Sequence, residues 1–77
     1  MNCKFIVVSS ITYAMKGKGK LEEFGISSKI EKIKKVAKLN GCGYGLKVND
    51  ADLTMATRIL STDGIKIIDT VDCGNKR

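Results

Sequence analysis

The residue whose setting best suits chemistry is Cys42, which lies in the glycine-rich run NGCGYG at residues 40–45. Glycine on both sides lets the backbone adopt unusual conformations and removes side chains that would shield the sulfur. Lys34, Lys35 and Lys38 precede this run, and nearby positive charge favours the thiolate, the nucleophilic form of cysteine. Two interpretations follow: a carrier or redox thiol, or a cysteine merely tolerated in a glycine-rich turn.

The other two cysteines have less distinctive settings. Cys3 opens an apolar segment and is typical of a small buried residue, whereas Cys73 lies in a polar tail. An odd number of cysteines with no export signal predicts reduced thiols, with a redox couple of Cys42 and Cys73 as an alternative. No C-x2-C pair is present, so we expect no metal site.

The composition excludes several classes of protein. The chain has no histidine, which excludes Ser/His and Cys/His nucleophiles and any His-ligated metal. No run of about 18 apolar residues is present, so we expect no membrane span. The apolar run at residues 5–8 is too short for a signal peptide. These features predict a cytoplasmic protein that is not an enzyme on its own and needs no cofactor.

The positive charge is concentrated in one part of the chain. The net charge is +6, and residues 16–38 hold eight lysines against three glutamates, which accounts for +5 of it. Such a segment is either a solvated face or a docking surface for an acidic protein or nucleic acid. The chain has four aromatic residues, and only Tyr44 is near a candidate surface loop, which argues against nucleic acid.

The first half of the chain predicts a strand followed by a helix. Residues 3–8 form a short segment that is apolar on both faces and suits a central strand. Ser9 and Ser10, with Thr12 just beyond, offer hydroxyls that can cap a helix over residues 11–24, and Gly25 would end it. Four residues share the inner face of this helix at helical spacing, and Gly17 and Gly19 would allow close approach to a sheet. These four are Ala14, Gly17, Leu21 and Phe24.

Residues 26–40 can be interpreted in two ways. Ser28-Lys29-Ile30-Glu31 is a capping box, which favours a helix ending at Gly41. Alternation of Ile26, Ser28, Ile30 and Lys32 instead favours a strand over residues 26–33, with a loop or one helical turn at 34–40. Local periodicity slightly prefers the helix.

The second half predicts a further strand, helix and strand. Tyr44, Leu46 and Val48 alternate as in a half-buried strand. Asn49 or Asp50 would cap a helix over residues 51–62 that ends at Gly64. Its inward residues would be Leu53, Ala56 and Leu60. Residues 65–68 would form the last strand. The chain is a single domain, residues 1–77, with an ordered core at about 3–71 and a flexible tail at 72–77.

These motifs resemble a known family. The apolar opening strand, the residues Ser9-Ser10-x-Thr12-x-Ala14, the helix ending in Glu23-Phe24-Gly25-Ile26 and the Cys42-Gly43 pair are similar to the selenium/sulfur carrier-like small proteins of bacteria and archaea. The resemblance covers roughly residues 4–70. It implies an α+β fold of ferredoxin-like β-α-β-β-α-β type, a single sheet with both helices on one face. It also favours the strand for residues 26–33.

The resemblance implies a function centred on Cys42. The thiolate would hold sulfur or selenium as a persulfide, supported by Gly41, Gly43 and Tyr44 and by the charges of Lys34, Lys35 and Lys38. Its partners would be a cysteine desulfurase-like donor and a protein acceptor. The alternative is a non-catalytic binding or dimerisation module whose basic segment docks an acidic protein or nucleic acid. An exposed sheet edge would allow a homodimer in either case.

Overall fold

A computed structural model describes residues 3–36 and 41–72, with the backbone alone at residues 35, 36, 41 and 42. The predictions for Lys38, Cys73 and the tail beyond residue 72 concern residues outside this part of the chain. The described elements alternate strand, helix, two strands, helix and strand. In chain order they are β1 (Cys3–Val8), α1 (Ile11–Glu23), β2 (Lys29–Val36), β3 (Gly41–Asn49), a 3-10 turn (Asp50–Asp52), α2 (Leu53–Thr62) and β4 (Asp69–Asp72).

The four strands form one antiparallel sheet in the order β2-β3-β1-β4. The apolar strand β1 lies in the interior of the sheet, as its sequence predicts. It pairs Ile6 with Leu46 of β3 on one side and with Thr70 of β4 on the other. Ile6, Val7 and Val8 are all buried. The prediction of an α+β protein built on an antiparallel sheet is confirmed.

Both helices pack on the same face of the sheet. One buried cluster joins side chains from β1, α1, β3 and α2, and it contains Ile6, Val8, Ala14, Leu21, Ile26, Leu46, Val48, Ala56, Ile59, Leu60 and Ile65. Burial of this apolar surface is the main source of stability in a domain of this size. The core therefore lies between the two helices and one side of the sheet.

Helix α1 begins and ends where the sequence predicts. Ser10 is its N-cap, and the Ser10 Oγ accepts a hydrogen bond of 3.2 Å from the backbone N–H of Tyr13. Gly25 follows the helix with a φ of 80°, a left-handed conformation that glycine adopts at low cost. Ala14, Gly17 and Leu21 face inward as expected. Phe24 does not face inward, since it is the C-cap residue beyond the last turn of the helix and 59% of it is exposed.

Residues 29–36 form a strand and not a helix. Strand β2 pairs with β3 from Lys29, opposite Lys47, to Val36, opposite Gly41. The strand interpretation is therefore correct for residues 29–33, but the strand begins three residues later than the predicted start at residue 26 and extends three residues beyond the predicted end at residue 33, so residues 34–36 are not the predicted loop or helical turn. The capping-box helix is wrong, because the ladder with β3 satisfies the backbone groups that the helix would have used internally.

The last strand lies four residues later than predicted. Gly64, with a φ of 82°, ends α2, and the backbone N–H of Ile65 donates a 3.0 Å hydrogen bond to the carbonyl oxygen of Leu60. Ile65 then enters the core, and the N–H of Ile68 donates to the Val7 carbonyl oxygen at 2.8 Å. Residues 65–68 therefore bring the chain from the helix to the sheet, and the ladder begins at Asp69.

The predicted side-chain cap of α2 is also absent. A 3-10 turn at Asp50–Asp52 leads into the helix, and neither Asn49 nor Asp52 makes a side-chain cap hydrogen bond. Asp50 instead lies 3.9 Å from the ammonium of Lys4. Of the predicted inward residues, Ala56 and Leu60 are buried, and Leu53 is partly buried against the core. The start of α2 is therefore fixed by backbone geometry and packing.

The Lys4 ammonium joins three parts of the chain, and this makes stability sensitive to alkaline pH. Its Nζ lies 2.8 Å from Asp72 Oδ1 on β4. The hydrogen bond that the Lys4 ammonium donates to Asp72 raises the pKa of Lys4 above its ordinary value of 10.5, against a lowering by desolvation, and the charges of Asp72 and Asp50 raise it further. Because the pKa is raised in the folded state, the Lys4 ammonium makes its full contribution to the free energy of unfolding below about pH 10.5. This contribution disappears as the pH rises through the folded-state pKa.

We expect Lys4→Gln to remove the part of the protein's stability that the wild type loses when Lys4 is deprotonated at alkaline pH. The measurement is the melting temperature of wild type and variant between pH 8 and 12, with Lys66→Gln as a control for the loss of one exposed lysine. The difference between wild type and Lys4→Gln should shrink as the pH rises above about 10.5, because the wild-type ammonium is then neutral. A difference that stays constant across this range would contradict the assignment.

Candidate functional site at the start of β3

Cys42 lies inside a strand and not in a loop. Strand β3 begins at Gly41, so the predicted glycine-rich loop at Gly41, Cys42, Gly43 and Tyr44 is wrong in its backbone conformation. The positive φ angles among the described glycines belong to Gly25 and Gly64, outside this segment. The glycines of β3 are extended residues of the ladder with β2. At Gly45 the structure shows what the glycine provides, which is space for neighbouring side chains.

Gly45 provides that space for two apolar side chains on the sheet face away from the helices. A Cβ atom at this position would lie 2.7 Å from Ile33 Cδ1 and 2.9 Å from Phe5 Cδ1, closer than such atoms approach. Glycine is therefore needed here because Phe5 and Ile33 pack directly over the backbone. Tyr44, the neighbouring residue, is half-buried and packs against the core on the helix side. It is a structural residue and not part of an open loop.

The ladder between β2 and β3 is irregular at Cys42. Ile33 lies opposite Gly43 and Val36 lies opposite Gly41, so two residues of β2 occupy the place opposite the single residue Cys42. These two residues are Lys34 and Lys35. Two residues against one is the arrangement of a β-bulge, which bends the strand and is frequent next to functional sites. The sequence carries no local signal for this bulge, because the bulge depends on the pairing of two strands.

The bulge brings two of the three predicted lysines beside Cys42 in the sheet. Lys34 is exposed, and the backbone of Lys35 lies in β2 next to it. Lys38 lies outside the described residues. The acidic residue of β2, Glu31, lies opposite Gly45, farther along the ladder. The backbone at Cys42 thus lies opposite two consecutive lysines of the neighbouring strand, Lys34 and Lys35.

The start of α1 lies at the same end of the sheet. Val8, the last residue of β1, pairs with Tyr44, so the chain that leaves β1 through Ser9 and Ser10 passes the strand end that holds Cys42. Helix α1 has no acidic residue in its first turn, so its partial positive charge is not offset there. Of the three predicted cap residues, Ser10 makes the cap hydrogen bond, while Ser9 and Thr12 are exposed.

Comparison with protein-family models, curated proteins and solved structures finds no match for this chain.

Cys3 departs from the expectation of reduced thiols. It is disulfide-bonded, so the prediction that the cysteines are all reduced is wrong for this residue. Disulfides persist mainly in oxidising environments. The sequence offered one relevant signal, the presence of two further cysteines, but spacing alone does not show which residues meet. At this end of the sheet Cys3 pairs with Asn49 of β3.

No group of three or more His, Cys, Asp or Glu residues within 3–36 and 41–72 is placed to hold a metal ion. In the same part of the chain, no helix is long and apolar enough to cross a membrane.

Proposed function

We propose that this protein is a small sulfur or selenium carrier whose working group is the Cys42 thiolate. The observation that carries the proposal is the bulge that sets Lys34 and Lys35 opposite Cys42. Positive charge close to a thiol lowers its pKa and raises the fraction present as thiolate. The nearby start of α1 adds a partial positive charge of the same sign. Both effects support a thiol that is nucleophilic near neutral pH.

The pairing of the strands supports Cys42 as the thiol left for chemistry. Cys3 lies opposite Asn49, seven residues along β3 from Cys42, which at about 3.3 Å per residue is roughly 23 Å. A disulfide requires Cα atoms within about 7 Å, so Cys42 is too distant to be the partner of Cys3.

The transfer step needs no oxidant. The Cys42 thiolate attacks the outer sulfur of a donor persulfide, R–S–SH, and forms a new S–S bond. The bond between the two donor sulfurs breaks, and the electron pair leaves with the donor as R–S⁻. Cys42 then carries the persulfide, Cys42–S–SH. A donor of the form R–S–SeH would transfer selenium in the same way. The acceptor protein would take the outer atom by a second exchange of this type.

The fold suits this role and the proposed family. We infer that the domain is of ferredoxin-like type, supported by its β-α-β-β-α-β order and by the antiparallel placement of β1 between β3 and β4. It would share three features with the selenium/sulfur carrier-like proteins. These are the Cys42-Gly43 pair, the helix that follows β1 and the two lysines opposite Cys42. A carrier fits a chain of this size, because it needs one accessible thiol and two docking partners and no complete catalytic apparatus.

The proposal predicts a persulfide on Cys42 alone. The protein is incubated with a cysteine desulfurase and cysteine and then examined by intact mass spectrometry. We expect an adduct of about 32 Da, the mass of one sulfur atom, in the wild-type protein. Cys42→Ser should form none. The double variant Lys34→Gln/Lys35→Gln should form it about tenfold more slowly at pH 7, because its thiolate fraction is smaller.

Two controls make the result specific. Cys3→Ser/Cys73→Ser keeps Cys42 and should still form the adduct, provided that circular dichroism shows a folded protein. Lys16→Gln/Lys66→Gln has the same charge change at exposed positions on α1 and before β4, and its rate should match the wild type. Absence of the adduct in the wild type, or its persistence in Cys42→Ser, would overturn the carrier function.

A further inference from the structure

We propose that a groove at the other end of the sheet binds a phosphate group carried by a small molecule. The groove lies where β1 begins, β3 ends and the chain enters β2. It is lined by Cys3, residues 27–29 and residues 47–49, and its volume is about 340 Å³. It is separate from the candidate carrier site, since the two lie at opposite ends of β3.

Two lysines form the basic wall of this groove. Lys29 of β2 lies directly opposite Lys47 of β3. Like charges in this position repel one another and destabilise a sheet. Among the ion pairs of the described residues, Lys4, Lys18 and Lys20 have carboxylate partners, whereas none joins Lys29 or Lys47. Lys29 and Lys47 therefore lie opposite each other with no neutralising carboxylate among the described residues.

No carboxylate lines the groove within the described part of the chain. The two acidic residues nearest to the groove along the strands, Glu31 and Asp50, do not line it. Glu31 lies opposite Gly45, one step away on the same sheet face. Asp50 follows Asn49 and lies 3.9 Å from Lys4. An anion between Lys29 and Lys47 would relieve their repulsion, and lysine ammonium groups bind phosphate as compact charges with three donors each.

Ser28 supplies an observation of a different kind. It lines the groove beside Lys29, and its Oγ is buried without a hydrogen-bond partner among the described residues. A buried hydroxyl without a partner destabilises the protein, so such groups usually have a reason. A hydroxyl can donate to a phosphate oxygen after rotation about χ1. Ser27 and Asn49 add further polar groups along the same wall.

The size of the groove favours a small ligand. Pockets for small molecules start at about 300 Å³, and this groove lies near that lower limit. Two lysines and a few hydrogen-bond donors suit a single phosphate group. A phosphomonoester of a short organic molecule would place its phosphate against the lysines and its remaining atoms toward Asn49. A nucleic-acid strand would require further basic and aromatic contacts along its path.

The test is a titration of the ¹⁵N-labelled full chain, followed by NMR. Inorganic phosphate and glycerol 3-phosphate are added in separate experiments at constant ionic strength. We expect saturable shifts of the amide signals of residues 27–29 and 47–49. Lys29→Gln/Lys47→Gln should bind each ligand at least tenfold more weakly. The control Lys16→Gln/Lys66→Gln, with the same change in net charge, should bind within twofold of the wild type.

Ser28→Ala separates a binding role from a structural one. Removal of the unpartnered hydroxyl should raise the melting temperature without phosphate, while phosphate affinity should fall about threefold. Affinity equal to the wild type would remove Ser28 from the site. Lack of saturation with both ligands, or equal loss in the two lysine double variants, would overturn the proposal. Much tighter binding of a single-stranded oligonucleotide than of glycerol 3-phosphate would overturn its small-molecule form.

This site is testable apart from the carrier function. Cys42→Ser should bind phosphate as the wild type does, because Cys42 lies at the far end of β3. Lys29→Gln/Lys47→Gln should likewise form the persulfide adduct at the wild-type rate. A failure of one experiment therefore leaves the other interpretable.

Discussion

Replacement of Leu60 by alanine is expected to lower the free energy of unfolding by about 3 to 5 kcal/mol. Leu60 lies on the inner face of α2, is fully buried and belongs to the one cluster that joins both helices to the sheet. The loss combines the removal of apolar atoms with the cavity they leave. A domain of 77 residues is typically stable by about 4 to 12 kcal/mol, so this loss is a large fraction of the total stability.

The measurement is urea denaturation of the variant and wild type, followed by circular dichroism. Met55→Ala provides a matched control on the same helix, since 57% of Met55 is exposed. Its effect should stay within about 0.5 kcal/mol. Equal effects at the two positions would show that α2 does not pack through Leu60 as described.

Gly17→Val is expected to destabilise the protein by about 1 to 3 kcal/mol through overpacking. A Cβ at position 17 would lie 2.9 Å from Leu60 Cδ2 and 3.0 Å from Leu46 Cδ1. Both neighbouring side chains are fully buried and cannot move without disturbing the core. The glycine therefore allows α1 to approach α2 and β3 at once, and larger side chains would separate these three elements.

Gly19 provides the control, because it lies two residues away on the same helix and a Cβ there meets no atom within 4 Å. Gly19→Ala should raise stability by up to about 1 kcal/mol, since alanine is the better helix former. The pair is measured by thermal and urea denaturation. A stabilised Gly17→Val, or a strongly destabilised Gly19→Ala, would contradict the described packing of α1. The sequence predicted close approach at both glycines, and only Gly17 shows it.

Several elements could be predicted because their signals are local. The N-cap hydroxyl of Ser10 and the left-handed glycines Gly25 and Gly64 act through their own backbone and its immediate neighbours. The apolar segment of β1 and the alternation at Tyr44, Leu46 and Val48 likewise report burial directly. These signals were enough to predict an α+β domain with two helices and a sheet.

The candidate site could be predicted only in part. Cys42 and its lysine neighbours were identifiable from residue type and order along the chain. The expected loop was wrong, because glycines indicate conformational freedom and here they accommodate neighbouring side chains in an extended strand, as at Gly45. The disulfide at Cys3 was also missed, since spacing in sequence does not reveal which strands become neighbours.

Residue type and order alone determined where the charge lies, where α1 starts and stops, and that cysteine is the only strong nucleophile in a chain without histidine. Tertiary structure decided between helix and strand for residues 29–36, set β4 at Asp69–Asp72, and placed Lys34 and Lys35 opposite Cys42. The physical reason is the same in each case. A strand satisfies its backbone hydrogen bonds through residues far away in the chain, so its identity and register depend on a partner that no local pattern contains.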